Sequence, residues 1–459
     1  MSNTKIITLT GATGFVGSKL ALALFKRGYQ LRVLTRSIAK AKIALPLPAE
    51  FIEWNPESGP APKSALEGSH ALVHLAGEGI ADGRWSARRK KAIRESRVLG
   101  TQNLVSSLNA CSNGPKVFVS TSAIGLYGDR GSEPLTESSQ GDDSFLSQVC
   151  QGWEQEALKA TVARTVILRT GIVLGTDGGA LAKMLLPFKI GAGGPLASGQ
   201  QYMSWIHVDD HVNLHIEAIE NDRYQGPINA VSPNPVTNIE FTKALGKAVG
   251  MPAFIPAPGF ALKLAFGEMA VVILGSQNVQ AQKLIDLGFQ FKFAQLSDAF
   301  SDLLSPGGHK GAYSIKTFQW IQAPQDKTYK FFADAHNLER ITPPFLNFKI
   351  HKMSTPAITQ GTLIDYKLKV RGLPIRWRTL IESWQPTLQF VDTQLKGPYA
   401  LWHHTHMFSE VKGGTLIEDR VIYRLPFWIL GDLVRELWVK HDVRKIFGYR
   451  QQCIESLIR

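Results

Sequence analysis

The chain has 459 residues, too many for one ordinary hydrophobic core, so two or three domains are expected. Its 44% hydrophobic content is that of a globular protein, and its apolar runs, such as MAVVIL (269–274) and FWIL (427–430), fall short of the ~18 residues a membrane helix needs. The three cysteines, Cys111, Cys150 and Cys453, are odd in number and far apart, which excludes a disulfide framework or a CxxC metal pair and suits a reducing cytoplasm.

The N-terminus enters a strand at once, so no secretory leader is expected. The net charge of +13 is uneven: residues 306–459 hold 22 Lys+Arg against 13 Asp+Glu, leaving 29 against 25 for residues 1–305. That basic balance reads as a solvated surface or as one that meets anionic membranes or acidic ligands. No basic patch interleaved with aromatics marks a nucleic-acid module, so no nucleic-acid partner is expected.

In chain order, β-branched apolar runs recur through the first 300 residues: KIITLT, QLRVLT, EFIEW, ALVHLAG, KVFVST, TVILRTGIVLG and INAVSP. Helix-like segments such as SKLALALFKRG and RKKAIRESRVLGTQNLVSSL separate several of them. This alternation predicts an α/β fold, a doubly wound parallel sheet covered by helices on both faces. Residues 1–304 form this domain, with a small helical cap at about 235–303. SPGGHKGAY breaks the pattern, and residues 305–312 read as a linker.

From 313 to 459 the rhythm changes. TLIDYKLKV alternates strictly, placing Ile364, Tyr366, Leu368 and Val370 on one face; RWRTLIESW, TLQFVDTQL, LWHHTHMFSEV and TLIEDRVIYRL are further strands of an antiparallel sheet. A long helix over about 427–458 follows. Its apolar stripe runs through Leu430, Leu433, Val434, Leu437 and Trp438 to Ile446, Phe447, Ile454 and Leu457.

TGATGFVGSKL (10–20) follows the first strand and opens a helix. Gly11 permits a tight turn, Gly14 lets backbone N–H groups approach a pyrophosphate, and Gly17 lets helix and strand pack closely. The segment 11–17 thus offers Gly11, Thr13, Gly14, Phe15, Val16 and Gly17 to a dinucleotide. At the end of the second strand, LTRS carries Arg36 and no acid. An acid there would bind the ribose hydroxyls of NAD; Arg36 instead suits a 2′-phosphate and so NADP. Leu75, Ala76, Gly77 and Glu78 of HLAGEG end the fourth strand beside the same cofactor, and Arg97 is the nucleotide candidate in the basic stretch that follows.

These segments, with SAIGLYG, FLSQVCQGWE, RTGIVLG, SWIHVDD and FIPAP, resemble the extended short-chain dehydrogenase/reductase family in its atypical, nucleoside-diphosphate-sugar epimerase-like branch, over residues 5–303. The resemblance implies hydride chemistry on a hydroxyl- or carbonyl-bearing small molecule. Its usual Tyr-x-x-x-Lys pair falls at Leu146 and Cys150, where neither residue can move a proton. Ser122 as a hydrogen-bonding hydroxyl, Tyr127 as a proton donor and His207 as an acid–base group are the remaining catalytic candidates. GAGGPLASGQ (191–200) reads as a mobile lid. Residues 313–459 resemble the helix-grip superfamily of START/polyketide-cyclase-like (SRPBCC) domains, an α+β fold with an antiparallel sheet around a long helix. That implies a cavity for a hydrophobic ligand, lined by Trp377, Trp402, Phe408, Tyr423 and Trp428. His404 and His406 share a strand face, but with no Cys, Asp or Glu close in sequence no metal site is expected. Two alternatives stay open: a non-catalytic NADPH-responsive scaffold, and a lipid carrier that docks peripherally on membranes.

Overall fold

The computed structural model describes residues 4–458, the side chain of Trp428 excepted. The chain forms two compact units that divide between Leu303 and Leu304.

The N-terminal unit is built on seven strands: β1 (Ile6–Thr10), β2 (Gln30–Thr35), β3 (Ala49–Glu53), β4 (Ala71–His74), β5 (Val117–Ala123), β6 (Arg164–Thr170) and β7 (Gly226–Ala230). They lie in the order β7-β6-β5-β4-β1-β2-β3, and every pairing is parallel. This is the Rossmann order, in which the chain reverses direction across the sheet between β1 and β4 and opens a crevice at the strands' carboxyl ends. The strands are near-continuous apolar runs because helices cover them. Leu34, Leu72, Phe118 and Ile167 pack with Leu104 and Leu108 of one helix and Ala157 of another. Four helices matter for the site: α1 (Phe15–Lys26), α2 (Ala87–Asn109), α3 (Phe145–Ala157) and α4 (Val208–Glu220). α1 packs beside α4, and α2 beside α3.

The expected cap at 235–303 contains the helices Asn238–Val249, Gly259–Phe266 and Leu296–Leu304 with shorter turns between them. The first is closed by a capping box in which Thr237 and Glu240 satisfy each other's backbone donors. The segment 191–200 is tied down rather than free: Ala197 N donates to Ala257 O, Ala257 N to Pro195 O, and Ile239 N to Gly199 O, each at 2.9 Å.

In the C-terminal unit seven strands form one antiparallel sheet: β8 (Tyr313–Ile321), β9 (Lys349–Met353), β10 (Leu363–Val370), β11 (Leu373–Gln385), β12 (Gln389–Lys396), β13 (Leu401–Val411) and β14 (Gly414–Arg424). Their order is β8-β14-β13-β12-β11-β10-β9, so the first strand returns to pair with the last. The terminal helix runs from Trp428, passes through a π-turn at Arg435–Val439, and continues as α5 (Lys440–Ile458). α5 buries Val443 and Phe447 against Tyr313, Val421 and Tyr423. It buries Ile454 and Ile458 against Ile321, Phe390, Phe408 and Ile417.

The stripe predicted for this helix holds only in its second half. Leu430, Leu437 and Trp438 are exposed, at 63%, 67% and 47%. The π-turn inserts an extra residue, which rotates the helix face by about 100° and puts the two halves of the stripe out of phase.

Candidate functional site

The first site is the crevice at the carboxyl ends of β1, β2 and β4. Gly11 turns the chain out of β1 with φ +68°, and a Cβ there would stand 2.7 Å from the Leu75 carbonyl carbon. A Cβ at Gly17 would meet the Gly11 carbonyl oxygen at 2.2 Å. Both positions therefore require glycine, one for φ and close approach to β4, the other for helix packing. Gly14 precedes α1 with no side-chain cap and no acid in the first turn, so the helix's leading N–H groups and positive end face the crevice.

Thr10 holds the two strand ends in place. Its Oγ1 accepts from Leu75 N and Ala76 N, both at 3.2 Å, and so its own proton goes to His74 Nδ1 at 2.7 Å. His74 in turn donates from Nε2 to Thr101 Oγ1 at 3.0 Å. That neutral tautomer agrees with burial, and the Arg97 charge, pushing the His74 pKa down to about 4.

The crevice has a volume of about 270 Å³, and Gly11, Thr13, Gly14, Arg36, Leu75, Ala76, Gly77 and Glu78 all line it. Arg36 is exposed and makes no ion pair with any described residue. The remaining expected contacts stand elsewhere. Phe15 presses its ring on the loop holding Gly175, Gly178 and Gly179. Val16 is partly buried in α1, and Gly17 serves the packing described above. Arg97 lies beneath the crevice, beside Gly77, with its guanidinium 5.3 Å over the Trp153 ring. Burial lowers its pKa. Sequence reasoning missed Trp54, Asn55, Pro56 and Glu57, which follow β3 and close the far wall. The signal was positional: they sit at the carboxyl end of a parallel strand neighbouring the glycine turn.

The catalytic candidates are not brought together around an open space. Ser122 Oγ donates to Glu154 Oε1 at 2.7 Å. Arg169 grips both oxygens of Glu154, at 2.9 and 2.8 Å, and also reaches the Tyr127 hydroxyl at 3.0 Å and the Glu137 carbonyl at 2.8 Å. Tyr127 is fully buried and donates to Asn229 Oδ1 at 2.6 Å. Burial pushes its pKa up to about 12 despite Arg169 beside it, so it keeps its proton at neutral pH. His207 precedes α4 and caps it, its Nδ1 accepting from Asp209 N at 3.1 Å. Its ring stacks 3.9 Å from Phe293. At the positions of the family's Tyr/Lys pair, Leu146 is aliphatic and Cys150 is buried, with burial pushing its thiol up to about 12.

The second site is a cavity of about 300 Å³ inside the C-terminal unit, lined by the alternating face Ile364, Tyr366, Leu368 and Val370 together with Trp377 and Trp402. Phe408 and Tyr423, expected as liners, instead fill the packed cores around α5. Trp428 falls outside the described side chains. The expectation that no acid accompanies His404 and His406 needs correction. Strand pairing places Asp392 opposite His404 and Asp419 opposite His406, so two carboxylates from the neighbouring strands, 14 residues before and 13 after His406, share their face. Burial lowers the His404 pKa to about 4. For His406 the burial effect is outweighed by Asp419 and Asp392, which raise it.

A glycine-turned crevice on a seven-stranded parallel sheet in Rossmann order defines a dinucleotide-binding protein of the short-chain dehydrogenase/reductase class. Residues 7–230 match the NAD dependent epimerase/dehydratase family, and residues 257–303 match a domain of unknown function, DUF1731. The chain is 42% identical over 308 residues to the chloroplastic epimerase family protein SDR39U1 homolog of Arabidopsis thaliana, covering 65% of this chain and 86% of that protein. It is 35% identical to epimerase family protein YfhF of Bacillus subtilis, over 65% of this chain and 98% of that one. The crystal structure of human epimerase family protein SDR39U1 (isoform 2) with NADPH superposes with a TM-score of 0.58 at 32% identity, over 65% of this chain and 98% of that one. This chain belongs to the NAD-dependent epimerase/dehydratase family.

Proposed function

We propose that the N-terminal unit binds NADP(H) and exchanges hydride with a hydroxyl- or carbonyl-bearing small molecule, in an oxidoreduction or epimerisation. The observation that carries this is the crevice itself: the uncapped positive end of α1 beneath Gly11–Gly14, with Arg36 rather than an acid at the end of β2. The NADPH in human SDR39U1 supports the choice of nucleotide. When bound, NADP(H) supplies the hydride donor or acceptor. Gly11 and the α1 N-terminus hold its pyrophosphate, Arg36 its 2′-phosphate, and Leu75–Glu78 the backbone wall beside it.

For proton movement the chain relies on Ser122. Its hydroxyl proton is directed at Glu154, and because Ser122 is buried its oxygen accepts from a substrate hydroxyl only once substrate binding opens the space beside it. Tyr127 and His207 stabilise the scaffold around it, one in the Arg169 network and the other as a helix cap. The C-terminal unit is read as a helix-grip domain of START-like (SRPBCC) type that holds an apolar ligand; the antiparallel sheet, α5 and the aromatic cavity support this. The unpaired cysteines suit a reducing cytoplasm, and among the described residues no helix is long and apolar enough to cross a membrane.

A second reading is favoured by one observation: Ser122 and Tyr127 already direct their hydroxyl protons at Glu154 and Asn229, and His207 Nδ1 is taken up in capping α4. On that reading the protein is a non-catalytic, NADPH-responsive scaffold. The two separate in an isotope experiment. NADPH deuterated at C4 is incubated with the full-length protein and a panel of carbonyl compounds, including nucleotide sugars. Deuterium transfer that Ser122→Ala abolishes supports the enzyme. No transfer to any compound, with NADPH still bound, supports the scaffold.

A further inference from the structure

Alternation along β13 puts His404 and His406 on one face, and the flanking strands add Asp392 from β12 and Asp419 from β14. Asp392 Oδ2 lies 3.4 Å from His404 Nδ1 and 3.1 Å from His406 Nε2. Donors held about 2.0–2.1 Å from a common tetrahedral ion stand roughly 3.3–3.4 Å apart, so both nitrogens already stand close to coordination spacing from the Asp392 oxygen. All three ligand atoms lie within 4.8 Å of one another.

The outer nitrogens complete the pattern. His404 Nε2 is 3.1 Å and His406 Nδ1 2.7 Å from the same Asp419 oxygen. A carboxylate that accepts the far N–H of a histidine fixes its tautomer and leaves the near nitrogen as a lone-pair donor. Here one carboxylate faces the outer nitrogens of both rings, which leaves His404 Nδ1 and His406 Nε2 on the side of Asp392, where Nε2 now donates to Asp392 Oδ2 and an ion would take that hydrogen's place. Arg450 of α5 stands 3.5 Å from His406 Nδ1. Both histidines, Asp419 and Arg450 are each less than a tenth exposed.

We propose that Asp392 Oδ2, His404 Nδ1 and His406 Nε2 bind one divalent transition-metal ion whose open positions face the apolar cavity. Two imidazoles and a carboxylate select the zinc, cobalt or iron class over magnesium or calcium. The three residues line the cavity wall, so the ion would take an oxygen of an otherwise apolar ligand: a carbonyl, carboxylate or hydroxyl. This assignment stands independently of the nucleotide site in the other unit.

The test is a titration of untagged, EDTA-treated full-length protein with Co(II), read by ligand-field absorption in the visible, followed by displacement with Zn(II). The expected result is saturable binding of about one equivalent, with the bands abolished in Asp392→Asn and in His406→Gln. Asp419→Asn, which removes only the outer support, should keep the bands while weakening affinity about 10–100-fold. If the wild-type protein shows no ligand-field bands and takes up no Co(II) or Zn(II), the cluster is a metal-free ion-pair network and the proposal is wrong. The same holds if uptake is undiminished in both ligand variants.

Discussion

Replacing Arg36 by alanine tests the choice between the two nicotinamide nucleotides. Arg36 lies on the wall of the crevice, solvent-exposed and without an ion-pair partner among the described residues, so removing it breaks no internal contact. A hydrogen bond to a charged group contributes about 1.5–3 kcal/mol when sheltered. Exposure and salt screening reduce that to about 1–2 kcal/mol here, or roughly 5- to 30-fold in Kd. The assay is equilibrium titration by nucleotide fluorescence, with NADPH and NADH in parallel at low and physiological salt. NADPH should weaken by that factor in Arg36→Ala, NADH should not change, and the NADPH penalty should shrink as salt rises. Equal weakening of both nucleotides, or no change in either, would refute the assignment of Arg36 to the 2′-phosphate.

Other consequences follow from the same geometry. Gly11→Ala forces a side chain into the Leu75 backbone at a left-handed φ and should eliminate measurable NADPH binding in the same titration. Arg169→Met leaves the Glu154 carboxylate, only 9% exposed, without its partner; urea denaturation should show a loss of about 3–5 kcal/mol in the N-terminal unit, and a loss under 1 kcal/mol would contradict the network. Tyr127→Phe should cost stability while leaving any turnover within a few-fold of wild type, whereas Ser122→Ala should abolish turnover with NADPH affinity intact. Acid should destabilise the N-terminal unit before its carboxylates titrate. Burial lowers the pKa values of His74 and His215 from 6.5 to about 4, and that of His211 well below 6.5. Between about pH 6.5 and 4 the unfolded chain therefore binds protons that the folded chain refuses, and each histidine removes up to about 1.4 kcal/mol per pH unit. Stability measured at pH 7 and again at pH 5 should fall accordingly, and a pH-independent result would count against the buried neutral rings.

Much of this architecture was legible in the sequence because it rests on local signals. Each strand of the parallel sheet is an apolar β-branched run, and the glycine turn announces itself between β1 and α1. The alternation of Ile364, Tyr366, Leu368 and Val370 marked a half-buried strand whose inner face lines the cavity. What escaped depends on register between distant segments. Asp392 and Asp419 meet His404 and His406 only because β12, β13 and β14 pair in one register, and a one-residue slip would turn them to the opposite face. The use of Tyr127 and Ser122 was likewise invisible, since their partners Asn229, Arg169 and Glu154 come from β7, β6 and α3. β9 was missed because KIHKM is short, at a sheet edge, and lacks a clean alternation. The misread half of the terminal stripe traces to a π-turn, for which the sequence carries no marker.

The central claim is that the N-terminal crevice holds NADP(H). Mass spectrometry of the small molecules released from gently purified full-length protein, backed by NADPH fluorescence titration of the same sample, tests it most directly. The account predicts NADP(H) in the released fraction or saturable NADPH binding that Gly11→Ala eliminates. Absence of any nicotinamide nucleotide, together with NADPH fluorescence unchanged by added protein, would contradict it and make the glycine turn a purely structural feature.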